Sequence, residues 1–98
     1  MYALAVIRYL KPLDEILLHI EAHRAYLREL EAAGLLLASG PLEPRTGGAL
    51  LLRLPPEDEP LAALAWVSEG DPFTKLGLAS YELLPWKPVI GLERLDAL

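Results

Sequence analysis

The sequence predicts an α+β domain in which four strands form one antiparallel sheet and two helices cover one of its faces. Three observations lead there. Short runs with period-two apolar alternation occupy residues 2–10, 48–54 and 78–84, the pattern of strands on a pleated surface. Two longer segments, beginning at Leu13 and at Glu57, repeat their apolar residues at helical spacing, as one buried helix face requires. Glycine and proline stand at nearly every change of period and mark where each element stops.

Residues 2–10 put Leu4, Val6, Arg8 and Leu10 on one face of a strand and Ala3, Ala5, Ile7 and Tyr9 on the other. Lys11-Pro12 breaks it, and proline suits a helix start because its missing N–H would be unpaired there. Asp14 and Glu15 follow in the first turn, where negative charge complements the helix dipole. Leu13, Ile16, Leu17, Ile20, Leu27 and Leu30 form the stripe of one helix that Gly34 terminates. Residues 35–39 are too few for another helix and read as a short strand. Residues 40–47, with Pro41, Pro44 and Gly47, read as a long turn, and residues 48–54 as the second arm of a hairpin. Pro55-Pro56 ends that arm. Glu57, Asp58 and Glu59 open a helix over residues 57–68, with Leu61, Leu64, Ala65 and Ser68 on one face and Gly70 as its stop. Asp71 and Pro72 read as N-cap and first residue of a short helical turn reaching Leu76. Residues 78–84 are the last strand, closed by Pro85-Trp86-Lys87-Pro88, and the tail from Gly91 is too short to be another unit.

The order strand, helix, strand, strand, helix, strand is the split βαβ pattern of the ferredoxin-like fold. Its helices cover one sheet face, so the other should be polar in a monomer. Here it is apolar: Leu4 and Val6 oppose Ala3, Ala5 and Ile7, Ala49 and Leu51 oppose Leu50, Leu52 and Leu54, and Leu84 and Trp86 oppose Ala79, Tyr81 and Leu83. Leaving either set exposed makes a patch beyond the few hundred Å² that monomers tolerate. A second copy of the chain is the expected cover; a loop or the C-terminal tail is the alternative. Composition points the same way. Hydrophobic residues make up 53% of the chain and Leu alone accounts for 24 of its 98 residues, against about 45–50% apolar in an average domain.

At 98 residues the chain is expected to be a single domain, residues 1–98. No apolar run approaches the roughly 18 residues of a membrane span, and the first residues lack the charged region and cleavage site of a signal peptide. No membrane association and a cytoplasmic location are the expectations. With no cysteine there is no disulfide framework, thiolate nucleophile or sulfur-ligated zinc. Nine Lys+Arg, scattered against 14 Asp+Glu, give a net charge of −5, whereas a nucleic-acid binder needs a positive face. Nine prolines without a single Asn, Gln or Cys resemble the composition of heat-adapted proteins.

Few residues are left to carry chemistry. His19 and His23 are the only histidines; on one continuous helix, His19, His23, Tyr26 and Leu30 line one flank of the apolar stripe, with His23 nearer its centre. His23 reads as a hydrogen-bonded boundary residue, as a general base or acid, since imidazole exchanges protons near pH 7, or, with His19, as half of a metal pair that lacks a third ligand. Asp71 reads as an N-cap that could also orient an imidazole, since each carboxylate oxygen accepts its own bonds. Ser39 is a turn residue or a ligand-facing hydroxyl. No GxSxG elbow and no phosphate loop is present; Gly47-Gly48 lacks the spacing and the following helix. Arg8, within an apolar strand, must be paired or functional: it either anchors an anionic substrate or bridges a dimer interface.

Five motifs in order carry a family resemblance: Glu21-Ala22-His23-Arg24-Ala25-Tyr26-Leu27, Ala38-Ser39-Gly40-Pro41, Gly47-Gly48, Asp71-Pro72-Phe73 and Tyr81-Glu82-Leu83-Leu84-Pro85-Trp86. Together they resemble the YciI-like (YCII-related) family over nearly the whole chain. The resemblance implies a ferredoxin-like fold dimeric through the sheet face, as in a dimeric α/β barrel, and an active site centred on a His/Asp pair that falls on His23 and Asp71. It implies for most members small enzymes of unassigned substrate, with a dehydrochlorinase-type elimination on aromatic compounds attached to the group.

The expected function is therefore a small homodimeric enzyme in which His23, oriented by Asp71, moves a proton on a small cyclic or aromatic substrate in lyase or isomerase chemistry. Ser39, Arg8, Tyr26 and Phe73 are the expected substrate contacts. No cofactor motif and no metal set is present, so none is expected. The alternative is a non-catalytic dimeric module that binds a small molecule or supports assembly.

Overall fold

Side-chain alternation along the strands sets the architecture. The computed structural model describes residues 1–55 and 60–98. In chain order its elements are β1 (Tyr2–Tyr9), α1 (Leu13–Leu17), α2 (Ile20–Ala32), β2 (Leu36–Pro41), β3 (Gly47–Arg53), α3 (Pro60–Gly70), α4 (Pro72–Lys75), β4 (Ala79–Trp86) and α5 (Leu92–Asp96). The strands form one antiparallel sheet in the order β2-β3-β1-β4. The fold is α+β, as the element order predicts. β1, at the centre, aligns Ala5 with Leu50 on one side and with Leu83 on the other.

The odd residues of β1 face the helices. Ala3, Ala5 and Ile7 are buried with Leu50, Leu52 and Leu54, under Ile16, Leu27 and Leu30 from the first helical region and Val67 and Phe73 from the second. Small Ala3 and Ala5 let α2 and α3 approach the sheet closely. Opposite them, Leu4, Val6 and Leu51 remain partly exposed and Leu84 is 40% exposed, so this face is as apolar as the sequence indicates.

Four features depart from the expected elements. The first helix is two, because Leu18 N–H donates to Glu15 O at 3.3 Å and His19 N–H to Ile16 O at 3.0 Å, i to i−3 bonds that tighten the turn before α2 restarts. β2 begins at Leu36 and runs on to Pro41, with a bulge between Leu36 and Ala38. β4 continues through Pro85 to Trp86, which an edge strand permits because an outward N–H can be dispensed with. The tail beyond Gly91 does form a unit: Gly91, at φ 88°, leads into α5. Tyr2 hydroxyl donates to Asp96 Oδ1 at 2.6 Å, while Arg53 donates to the Leu98 carbonyl at 2.8 Å, to the Leu95 carbonyl and to the Tyr2 hydroxyl. These bonds fasten α5 to the end of the sheet where Tyr2 and Arg53 pair. The tail therefore covers one end of the open face and leaves the centre to other cover. The acidic opening Glu57 to Glu59 lies outside the described residues, as do the side chains of Leu61 and Leu64. Among the described residues no helix is long and apolar enough to cross a membrane.

Candidate functional site

Local rules bring His23 and Asp71 together from 48 residues apart. Helical periodicity puts His23 on the buried side of α2, in series with Leu27 and Leu30. Asp71 sits where α3 ends, in extended conformation, and its carboxylate accepts from Phe73 N–H at 2.9 Å as the N-cap of α4. A cap of this kind holds a carboxylate in one orientation. The junction that delivers it is gauged by Tyr26, whose hydroxyl donates to the Val67 carbonyl at 2.7 Å. Gly70 fits beneath that ring only because it has no side chain: a Cβ there would lie 2.5 Å from Tyr26 Oη.

His23 Nδ1 lies 2.8 Å from Asp71 Oδ2 and 3.0 Å from Oδ1, and Tyr81 hydroxyl donates to Oδ2 from β4. Three donors converge on one side chain that is 0% exposed, which an acceptor-only carboxylate satisfies fully. An ionised Asp71 can only accept, so Nδ1 donates to it, and in the neutral imidazole the lone pair then lies on Nε2. Phe73 backs the imidazole in a parallel stack, ring centroids 4.1 Å apart with planes 4° apart, and Tyr9 meets Phe73 edge-on at 6.1 Å. Burial first, then the negative charge of Asp71 and the bond to it, hold the Tyr81 hydroxyl far above its ordinary range, so it remains a donor.

Of these groups His23, Phe73 and Tyr9 border a cavity of about 190 Å³, whose walls also include Ile7, Ser39 and Arg45. Apolar pockets of about 150 Å³ already take up benzene, so the space suits a single-ring molecule. Ser39 reaches it through the bulge: Leu36 pairs with Leu52 and Ser39 with Leu50, and the extra residue shifts the alternation so that Ser39 faces the helices, where Leu50 is buried.

The sequence profile of the YCII-related domain matches residues 1–87. The chain belongs to the YCII-related family. Among solved structures, this YCII-related protein is similar to 5-chloro-2-hydroxyhydroquinone dehydrochlorinase from Burkholderia phenoliruptrix AC1100, solved in complex with 2,5-dihydroxybenzoquinone, with a TM-score of 0.73 and 28% identity over 91% of this chain and 96% of that one. No curated protein matches it.

Of the residues singled out from the sequence of this YCII-related chain, His23, Asp71, Phe73 and Ser39 come together around the cavity, Asp71 behind His23. Arg8 and Tyr26 do not join its walls. Arg8 lies on the opposite sheet face, exposed, with its guanidinium 3.7 Å from Glu82; an even position in β1 cannot turn toward the helices without reversing the whole strand. Tyr26 is turned to Val67 and Gly70. His19 sits at the break before α2 and is not part of the wall either, since the break ends the continuous helix that would align it with His23. Tyr81 and Arg45 are the additions. Tyr81 was legible as sharing one face of the last strand with Ala79 and Leu83, but its reach to Asp71 depends on packing between distant segments. Arg45, in the hairpin loop, gives no periodic signal.

Proposed function

We propose that this protein is a small enzyme of lyase type that performs acid–base chemistry on a single-ring substrate, with His23 as the proton-transferring group. The observation that carries this reading is the buried His23–Asp71 pair at the wall of a ring-sized cavity. Asp71 fixes the tautomer and is a positioning residue; His23 Nε2 takes the proton. In an elimination, the electron pair released by that proton forms the new double bond and the leaving group departs with its own bonding pair. Phe73 holds the imidazole plane and presents an apolar ring to the substrate. Ser39 contributes a hydroxyl to the lining of the same cavity. The dehydrochlorinase similar in fold and sequence supports a ring-bearing halide or hydroxyl compound as the substrate class.

The same reading includes a homodimer of dimeric α/β barrel type, closed through the face of Leu4, Val6, Leu51 and Leu84. Partial exposure of this apolar set supports it, and Arg8 with Glu82 then belongs to the interface and not to the substrate.

Chloride release from 5-chloro-2-hydroxyhydroquinone tests the chemistry. Wild-type protein is expected to release chloride, and His23→Asn to lower the rate about a hundredfold or more, the usual worth of a general base. Asp71→Asn is the sharper variant: Asn caps a helix as well as Asp does, so the fold persists while the imidazole loses its acceptor-only partner and turnover falls with it. Circular dichroism verifies that both variants are folded. Chloride release that is unaltered in folded His23→Asn overturns the assignment, and tight binding of 2,5-dihydroxybenzoquinone without turnover of the chlorinated ring favours the binding-module alternative.

A further inference from the structure

Arg45 brings a guanidinium to the cavity wall, and among the described residues no carboxylate pairs with it. Its Nε is buried and has no hydrogen-bond partner among the described residues, although its side chain lines the same space as His23 and Phe73. A buried donor left unpaired costs about 1–3 kcal/mol, more when charged, so an acceptor on a bound molecule would stabilise this position. The loop holding it is well fixed: Leu42 N–H donates to Gly47 O at 2.9 Å, Thr46 N–H to Pro44 O at 2.8 Å, and Tyr9 N–H of the central strand to Thr46 O at 3.0 Å. Arg24, the other guanidinium on the wall, already has Glu21 within 3.3 Å.

We propose that Arg45 is the anion-recognition residue of this cavity and takes an ionised oxygen, phenolate, enolate or carboxylate, carried by a planar single-ring ligand. This rests on the reading that the cavity is the ligand site, and it adds what that reading leaves open: the charge state in which the ligand enters. Guanidinium is permanently charged, planar and rich in donors, which matches an oxygen in the plane of a ring. The aromatic stack of His23 and Phe73 supplies the apolar wall for the ring itself. In a chain of net charge −5, the Arg45 guanidinium gives this wall a local positive charge that favours anions against the overall field.

Calorimetric titration with 2,5-dihydroxybenzoquinone, which is ionised at neutral pH, and with its 2,5-dimethoxy ether, which is not, tests this directly. Wild-type protein is expected to prefer the ionised ring, and Arg45→Gln to weaken its binding by about tenfold or more, the worth of a charge-assisted bond, while leaving the ether within about twofold. Arg28→Gln, which removes an equal charge from the same helix as Arg24 but outside the cavity wall, is the control for general electrostatics. In labelled protein the Arg45 Nε–H resonance is expected to shift when the ionised ring binds. Equal affinity for the two rings, binding of neither at millimolar concentration, or an equal loss in Arg45→Gln and Arg28→Gln overturns the proposal. Because the readout is binding, it separates from the catalytic reading. Arg45-dependent binding in a protein without turnover keeps Arg45 and removes the chemistry; unchanged affinity in Arg45→Gln with turnover intact does the reverse.

Discussion

Asp71 joins three parts of the chain: the α2 histidine, the first turn of α4 and the tyrosine of β4. Its negative charge also acts on its phenolic neighbours. Burial, and then Asp71, push Tyr26 from 10.0 up to about 12, and Tyr81 moves in the same direction. Both hydroxyls therefore hold their protons in the folded state at pH values where an unfolded tyrosine has lost its own. The unfolded state binds fewer protons there, so stability is full below about pH 10 and falls as pH rises from about 10 toward about 12. Urea unfolding is expected to give a lower midpoint at about pH 11 than at about pH 9, with a smaller drop in Tyr26→Phe. A midpoint that does not move would remove this coupling. At this scale His23 and Asp71 were legible because each obeys a local rule, helical spacing for one and N-capping before proline for the other. Ser39 was legible only as a hydroxyl at a turn, since a bulge decides which way it points, and Arg45 was not legible at all, since a loop carries it.

The approach of β3 to β1 on one side and to β2 on the other explains the Gly47-Gly48 pair that matched no phosphate loop. A Cβ on Gly47 would collide with the Ile7 carbonyl, and one on Gly48 would meet the Gly40 carbonyl at 3.1 Å. The first is a clash with backbone, which no rotamer change can relieve. Gly47→Ala is expected to lower stability by about 2 kcal/mol or more, in the range of steric changes in a packed interior, as read from the urea midpoint at neutral pH; Gly48→Ala is the milder case. A Gly47→Ala protein as stable as wild type would mean the strands are not held in this register. Strand identities and faces were legible from period-two alternation. The break at Leu18 and His19 was not, because the apolar stripe continues through it from Ile16 to Ile20 and periodicity alone reads one helix. The short α5 was equally hidden: it buries none of its residues and is held by hydrogen bonds to Tyr2 and Arg53.

For the whole molecule, the apolar surplus read from composition resolves into two sheet faces, one covered by α2 and α3 and the other closed only at the end that α5 reaches. On the proposed dimer, Val6→Asp puts a charge at the centre of the remaining patch without touching the cavity. Light scattering at micromolar concentration is expected to give a dimer mass for the wild type and a monomer mass for Val6→Asp; a monomeric wild type would end the dimer proposal. The strand order has a further consequence, one of time and not of space. Of the four strands β1 is made first, yet one of its two edges is completed only by β4, so the central strand must wait for the other three. His23 waits with it. Its helix is made early, but Asp71 and Tyr81 arrive with the last third of the sequence, so the candidate site is among the last features to assemble, and a ligand can recognise only a chain whose synthesis has passed β4.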